Sequence, residues 1–311
     1  MRIVYMGTPD FAVPALEALA AAGCEIPLVV TKADARQGRG KKLQMCPVKE
    51  KALELGLSVI SPEKLRGNAE ALESIRSAAP DLIVVAAYGK ILPKSILDVP
   101  PLGCVNIHGS LLPKYRGAAP IQRAVINGET ETGVTLMYMA EEMDAGDIIA
   151  SEATPVGEKT SAELFEELSH MGAELLIRML PYIENGTAPR TPQDESKVCF
   201  APMVSKEEGA IDFSKDAASI CALVRGMNSW PSAWTVLEGQ VMKVHAARPG
   251  DGSAADGTPF GSVIKTDKTG IQVSCRGGSV VFTRIQLPGK KAMDASAWLL
   301  GNKIEIGTVL G

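Results

Sequence analysis

Residues 81–87 read Asp-Leu-Ile-Val-Val-Ala-Ala, and it is this uninterrupted apolar run that decides the fold class. A strand with one wet face alternates apolar and polar residues, whereas a run without alternation suits a strand buried on both faces, as in a parallel sheet covered by helices. Outward from it, strand and helix signals alternate. Arg2–Met6 is a short β-type run, followed by the turn Gly7-Thr8-Pro9-Asp10 and a helix expected over Phe11–Ala22 with Gly23 as its stop. Glu25–Thr31 and Leu57–Ile60 are expected strands, and Pro47–Leu55 and Asn68–Ala79 expected helices. Gly103–His108 is a further strand that ends at a cluster of polar residues. This order predicts an α/β, doubly wound parallel sheet, a class that binds ligands outside the carboxyl ends of its strands.

The pattern then loosens. A helix is expected around Ala119–Asn127, β segments near Gly133–Ala140 and Asp147–Ala153, and a helix from Ser161 to about Leu180. Pro181 should end or kink that helix, with Gly186 its latest possible stop. Residues 187–205 lack periodicity and contain Pro189, Pro192 and Pro202, which fits a linker. Beyond lie a helix at Ala217–Met227, five or so short β segments between Ala233 and Gln286, and a last helical turn at Ala295–Leu300, the signature of a small β-barrel. We therefore expect a first domain over 1–188, a linker over 189–207 and a second domain over 208–311; a chain of 311 residues also favours two domains.

With 46% hydrophobic and 22% charged residues the composition is globular, and a net charge of -4 excludes a generally basic nucleic-acid binder. Positive charge is local instead. Residues 32–42 hold Lys32, Arg36, Arg39, Lys41 and Lys42 against Asp34 alone, and the chain from Ser205 onward holds 12 Lys/Arg against 10 Asp/Glu. A polyanion would meet these two regions. The six cysteines are dispersed without a CxxC pair, and with three histidines no metal site is expected. Reduced thiols, the lack of a signal-peptide pattern and the lack of an apolar run of 18 residues point to a cytoplasmic protein outside the membrane.

The stretch richest in chemistry is Asn106-Ile107-His108-Gly109-Ser110-Leu111-Leu112-Pro113. On a strand, Asn106 and His108 project from the same face. An amide can hydrogen-bond a carbonyl oxygen as negative charge grows on it, and an imidazole can carry protons near neutral pH. The competing reading is a structural histidine beside an ordinary turn asparagine. Asp144, in Met143-Asp144-Ala145-Gly146-Asp147, is either a solvated turn carboxylate or the partner of His108. The Gly7 turn lacks the GxGxxG of a dinucleotide site. The basic, glycine-containing loop reads equally as solvated surface or as a phosphate-seeking segment, and Lys290-Lys291 adds weaker support. Trp230 and Trp234 are expected in the core of the second domain or at an interface.

Together these segments resemble the folate-dependent formyltransferases. The shared core is Asn106-x-His108 with Ser110-Leu111-Leu112-Pro113 and Asp144; GTPDFAVPAL at the N-terminus, GRGKK at 38–42, AYGKILP at 87–93, the run 110–139, NSWPSAW at 228–234 and LPGKK at 287–291 extend it over nearly the whole chain. The resemblance implies a Rossmann-like doubly wound catalytic domain followed by an OB-like β-barrel. It implies 10-formyltetrahydrofolate as donor and the α-amine of methionine on initiator tRNA as acceptor, without a metal. Asn106 and His108 would stabilise the oxyanion, with Asp144 orienting His108 and stabilising its protonated form. The folate would lie near Ser110, Leu111, Leu112, Pro113 and Tyr88, Gly89, Ile91, Leu92, largely against backbone. Loop 34–49 would reach the tRNA through Arg36, Arg39, Lys41 and Lys42, and a monomer is expected. Rival readings are a formyltransferase for a sugar-nucleotide or ribonucleotide amine, a formyl-folate hydrolase, and a non-catalytic RNA-binding protein.

Overall fold

The structure, a computed structural model, describes residues 1–37, 42–252, 255 and 257–311, with backbone alone at 35–37 and 42–43. The chain forms two compact units: Met1–Pro120 with Thr132–Thr154 and Phe165–Pro202, and Ile121–Glu131 with Pro155–Leu164 and Met203–Gly311.

The elements up to residue 201 are β1 (Arg2–Gly7), α1 (Val13–Ala21), β2 (Glu25–Val30), β3 (Ala35–Gln37), β4 (Lys42–Gln44), α2 (Pro47–Glu54), β5 (Val59–Ile60), α3 (Ala69–Ser77), β6 (Leu82–Ala86), α4 (Lys94–Leu97), β7 (Cys104–His108), β8 (Arg116–Gly117), α5 (Pro120–Ile126), β9 (Glu131–Tyr138), β10 (Ile148–Pro155), α6 (Ser161–Glu184) and β11 (Phe200–Ala201). Seven of the strands form one sheet in the order β10-β9-β7-β6-β1-β2-β5. β7, β6, β1, β2 and β5 run parallel, as the apolar runs predicted. All five residues of β6 are buried. The expectation of a parallel sheet is corrected at one edge, where β9 lies antiparallel to β7. Burial on both faces produces the same apolar run whichever way the neighbouring strand points, so direction is not written in the pattern.

One face of the sheet carries Val4, Met6, Val85 and Cys104 into a core with Ala71 and Ile75 of α3, Ile96 of α4, and Tyr88 and Leu92. Each such aliphatic side chain contributes about 1.5–3 kcal/mol on burial. α3 starts where its sequence signal lies: the Asn68 side chain accepts from the Ala71 N–H at 3.0 Å. On the opposite face Ile107 of β7 meets α6 at Gly172, where an added Cβ would sit 2.5 Å from the Ile107 methyl. α6 runs through Pro181 to Glu184, past its expected stop, and ends before Gly186 at φ +69. A proline this close to a helix end removes only one late hydrogen bond, and Asn185 still donates to the Pro181 carbonyl at 3.1 Å.

The stretch expected as a linker is hydrogen-bonded along its first part. Thr191 exchanges backbone hydrogen bonds with Ile148 at 2.8 and 3.0 Å, and β11 runs parallel to β8. In the second unit, α7 (Ala217–Gly226) is followed by β12 (Ala233–Leu237), β13 (Gln240–Pro249), β14 (Val263–Asp267), β15 (Gly270–Cys275), β16 (Gly278–Gln286), β17 (Met293–Asp294) and α8 (Ala295–Leu299). The strand order is β12-β13-β16-β15-β14, antiparallel throughout, with β17 on β16. The final residues bond to both outer strands: Gly307 donates to Val263 at 2.8 Å and Gly311 to Val236 at 3.1 Å, so the sheet curls into a small barrel. Phe213 and Phe282 pack in it at 6.2 Å between ring centroids. Trp234 donates its indole N–H to the Lys206 carbonyl at 2.9 Å, whereas Trp230 is 55% exposed and is no core residue. Among the described residues no helix is long and apolar enough to cross a membrane.

The close approach of α6 to β7 yields a test. Gly172→Val should destabilise the protein by about 1–3 kcal/mol through overpacking against Ile107, read as a lower urea midpoint. An unchanged midpoint would mean that helix and strand are not in this contact.

Candidate active site

β1 is where the strand order turns, with β2 on one side and β6 on the other, so the carboxyl ends of β1, β6 and β7 lie side by side. They deliver Thr8, Tyr88-Gly89 and His108-Gly109 to one rim. Alternation along β7 puts Cys104, Asn106 and His108 on one face: Cys104 belongs to the apolar core, and the two polar residues continue the row towards the rim. Asn106 pairs in register with Val85 on one side and Met137 on the other, and His108 with Thr135.

His108 is 6% exposed. Its Nε2 lies 2.9 Å from the Tyr115 carbonyl oxygen, which only accepts, so Nε2 carries a hydrogen in this contact. Its Nδ1 faces the Asp144 Oδ2 at 3.7 Å, longer than a direct hydrogen bond; the two form an ion pair only when the imidazole is protonated. Asp144 sits in a turn at φ +52, a conformation that costs a residue with a side chain about 1–2 kcal/mol. That turn is held in three places. The Gly117 N–H donates to Asp144 Oδ2 at 2.8 Å, and the Gln193 side-chain amide donates to the carbonyls of Asp144 and Gly146, both at 2.8 Å. Gly146 is closed in too, since a Cβ there would run into the Tyr138 carbonyl. Gln193 in turn accepts from Arg116 at 3.0 and 2.8 Å. Asn106 is half-buried, and no hydrogen bond ties its side-chain amide to another described residue.

The expected folate stretches are built as supports. The Ser110 hydroxyl donates to the Lys114 carbonyl at 2.7 Å, and Thr135 ties the turn by donating to the Ser110 carbonyl at 2.7 Å and accepting from the Leu112 N–H at 3.1 Å. Ser110 and Leu112 are buried, Leu111 lies against Gly133, and Pro113 follows a cis peptide bond. Tyr88 and Leu92 are core side chains, Gly89 stands at φ +73 under the Lys32 side chain, and Ile91 alone projects, 64% exposed. Any ligand contact by Ser110, Leu112, Tyr88 or Leu92 is therefore one of backbone. A surface hollow of about 310 Å³ is lined by Lys94, Leu97, Asp98, Cys104, Tyr138 and Arg190, beside the amino end of β7. Burial pushes the Cys104 thiol up to about 12, so it stays neutral and acts as an apolar wall. The Arg190 guanidinium stacks on Tyr138 at 3.6 Å. The reading of the sequence missed this wall, along with Tyr115, Arg116, Thr135 and Gln193, because no local pattern marks a residue whose partner is distant in the chain.

Of the expected tRNA contacts, Arg36 and Lys42 stand on the antiparallel β3–β4 pair, opposite Leu43 and Gln37, while Arg39 and Lys41 lie outside the described residues. Among the described residues no group of three His, Cys, Asp or Glu could hold a metal ion.

Comparison with known proteins settles the family. A model described as formyl transferase matches residues 1–180, and one described as formyl transferase, C-terminal domain, matches residues 203–303. The chain belongs to the formyl transferase family. The methionyl-tRNA formyltransferase of Moorella thermoacetica is 48% identical over 100% of this chain and 99% of its own. Among solved structures, HypX from Aquifex aeolicus in complex with tetrahydrofolic acid aligns over 97% of this chain with a TM-score of 0.65 at 21% identity; this chain spans about half of it, 47%. An N-formyltransferase from Helicobacter canadensis, in complex with folinic acid and dTDP-3-aminofucose, aligns over 90% of this chain and 98% of its own with a TM-score of 0.67 at 17% identity. These two likenesses speak for the fold.

Tyr88 offers a check on the wall of this formyl transferase site. Its hydroxyl is buried with no partner among the described residues, and burial pushes it up to about 12. A raised folded-state value gives stability that is full below the unfolded phenol's pKa of about 10 and is lost as pH rises towards 12. Tyr88→Phe should remove that alkaline loss, gain about 1 kcal/mol at neutral pH and leave the folate KM unchanged. A raised KM would show that the hydroxyl serves the ligand.

Proposed function

We propose that this chain transfers the formyl group of 10-formyltetrahydrofolate to the α-amine of methionine on initiator methionyl-tRNA. Full-length relatives at 46–48% identity that are named methionyl-tRNA formyltransferases support the substrate pair. The observation that carries the chemistry is the buried His108 facing Asp144 at 3.7 Å, with the half-buried Asn106 on the same strand face.

When bound, the folate supplies the formyl carbon; the protein supplies a space in which charge can move. In the proposed roles, Asn106 donates to the formyl oxygen as negative charge grows there. His108 holds one proton on Nε2 against Tyr115, so a proton exchanged with the reacting groups belongs on Nδ1, between Asp144 and the amine. Asp144 balances the imidazolium so formed. No covalent bond to the protein is required. The hollow lined by Cys104, Tyr138 and Met139 together with the charged Lys94, Asp98, Glu141 and Arg190 is proposed to take the folate. The catalytic work is assigned to residues 1–188 together with the part of 189–207 that bonds to Asp144 and Arg116, and the 208–311 barrel serves the tRNA with Arg36, Arg39, Lys41 and Lys42. A cytoplasmic monomer completes the proposal.

The direct assay mixes the protein with 10-formyltetrahydrofolate and methionyl-tRNA and follows formyl incorporation, with free methionine and an amino-sugar nucleotide as parallel acceptors. Formylation of a sugar nucleotide in place of the tRNA would overturn the acceptor. Asn106→Ala and His108→Ala should each cost roughly 100- to 1000-fold in turnover; near-normal rates would refute the roles. Replacing Arg39, Lys41 and Lys42 together by Ala should weaken tRNA binding and flatten its salt dependence while folate binding persists. Equal loss of both ligands would remove the loop from the tRNA path.

A further inference from the structure

Residues 189–197 are exposed one after another, with a single exception: the Gln193 side chain turns inward. Its amide is used completely and in only one orientation. The nitrogen gives its two hydrogens to the carbonyls of Asp144 and Gly146, at 2.8 Å each, and the oxygen accepts two hydrogens from Arg116, at 3.0 and 2.8 Å. Carbonyls only accept and a guanidinium only donates, so the amide cannot be reversed without breaking all four bonds.

Arg116, 4% exposed, is the centre of the arrangement. Its guanidinium also holds Glu195 at 2.8 and 3.3 Å, and its backbone N–H donates to the Cys199 carbonyl at 3.0 Å. The neighbours of Arg116 in the chain touch the catalytic pair on both sides. The Tyr115 carbonyl takes the hydrogen of His108 Nε2, and the Gly117 N–H donates to the Asp144 carboxylate. β11, immediately after, pairs with β8 and locks the register of these three residues. The segment thus ties the support of the histidine to the turn that presents the carboxylate.

We infer that Gln193 is a positioning residue for formyl transfer: held by Arg116, it fixes the turn at φ +52 so that the Asp144 carboxylate stands opposite His108. The inference rests on the reading of His108 and Asp144 as the reacting pair. The amide of Gln193 touches only backbone carbonyls and Arg116 among the described residues, so it acts through the geometry of Asp144 and takes no proton itself.

Gln193→Glu keeps the shape and removes both donors; Gln193→Met keeps the length and removes all polarity. Each should lower kcat for formylation of methionyl-tRNA by about 10- to 100-fold, with the KM of folate and of tRNA and the thermal midpoint little changed, as expected for a displacement of a reacting group by an ångström or less. The deciding measurement is single-turnover formylation in the Asp144→Asn background. There the Gln193 substitutions should add no further loss, because the carboxylate they position is gone. The same fold-loss in both backgrounds, an unchanged kcat, or a fall in thermal midpoint that accounts for the loss would each overturn the positioning role. If Asp144→Asn alone left turnover intact, the reading of the pair would fall and this inference with it; if Asp144→Asn abolished turnover while both Gln193 variants matched the native enzyme, only the inference would fall.

Discussion

A buried imidazole has to satisfy two nitrogens where water is scarce, and the segments around His108 in the first unit meet that requirement. His108 gives one nitrogen to a backbone carbonyl and turns the other to a carboxylate. Both partners belong to segments without regular structure, and irregular segments hold position only through hydrogen bonds of their own. The loop after β7 is tied by Thr135, and the turn carrying Asp144 by Gly117 and Gln193. In a low-dielectric setting an unpaired polar group is costly, so these supports rank with the functional groups they hold.

Asn106 shows the complementary condition. It lies on the same strand face as His108, yet no protein group among the described residues occupies its amide. The row Cys104, Asn106, His108 passes from apolar core to polar rim within one strand, so the stiffness of the sheet passes directly to the candidate site. Asp144 departs from its backbone preference and is held there from outside, a pattern common where geometry matters more than local stability.

Much of the fold could be read locally. The strands β1, β2, β6 and β7 and the helix α3 lie within a residue or two of their signals, and five antiparallel strands fall in the stretch where short β segments were expected. The misses share one cause. The direction of β9, the continuation of α6 past Pro181 and the exposure of Trp230 depend on neighbours far away in the sequence. The β3–β4 pair lay hidden in a basic stretch whose charges drew attention from its backbone. Residues 187–205 had every mark of a linker, three prolines and no period, because a segment that makes one inward contact at a time has no period to display.

By itself the sequence determined the class of sheet, the placing of Asn106 and His108 on one face, and membership of a family that moves formyl groups, since strand alternation and long motifs are properties of adjacent residues. Only the tertiary structure decided that Asp144 stands against His108, that Tyr115 chooses the nitrogen that carries the hydrogen, and that Gln193 and Arg116 brace both. Those are meetings of residues distant in the chain. A hydrogen bond records the positions of two groups in space, and nothing in the order of residues between them encodes that distance.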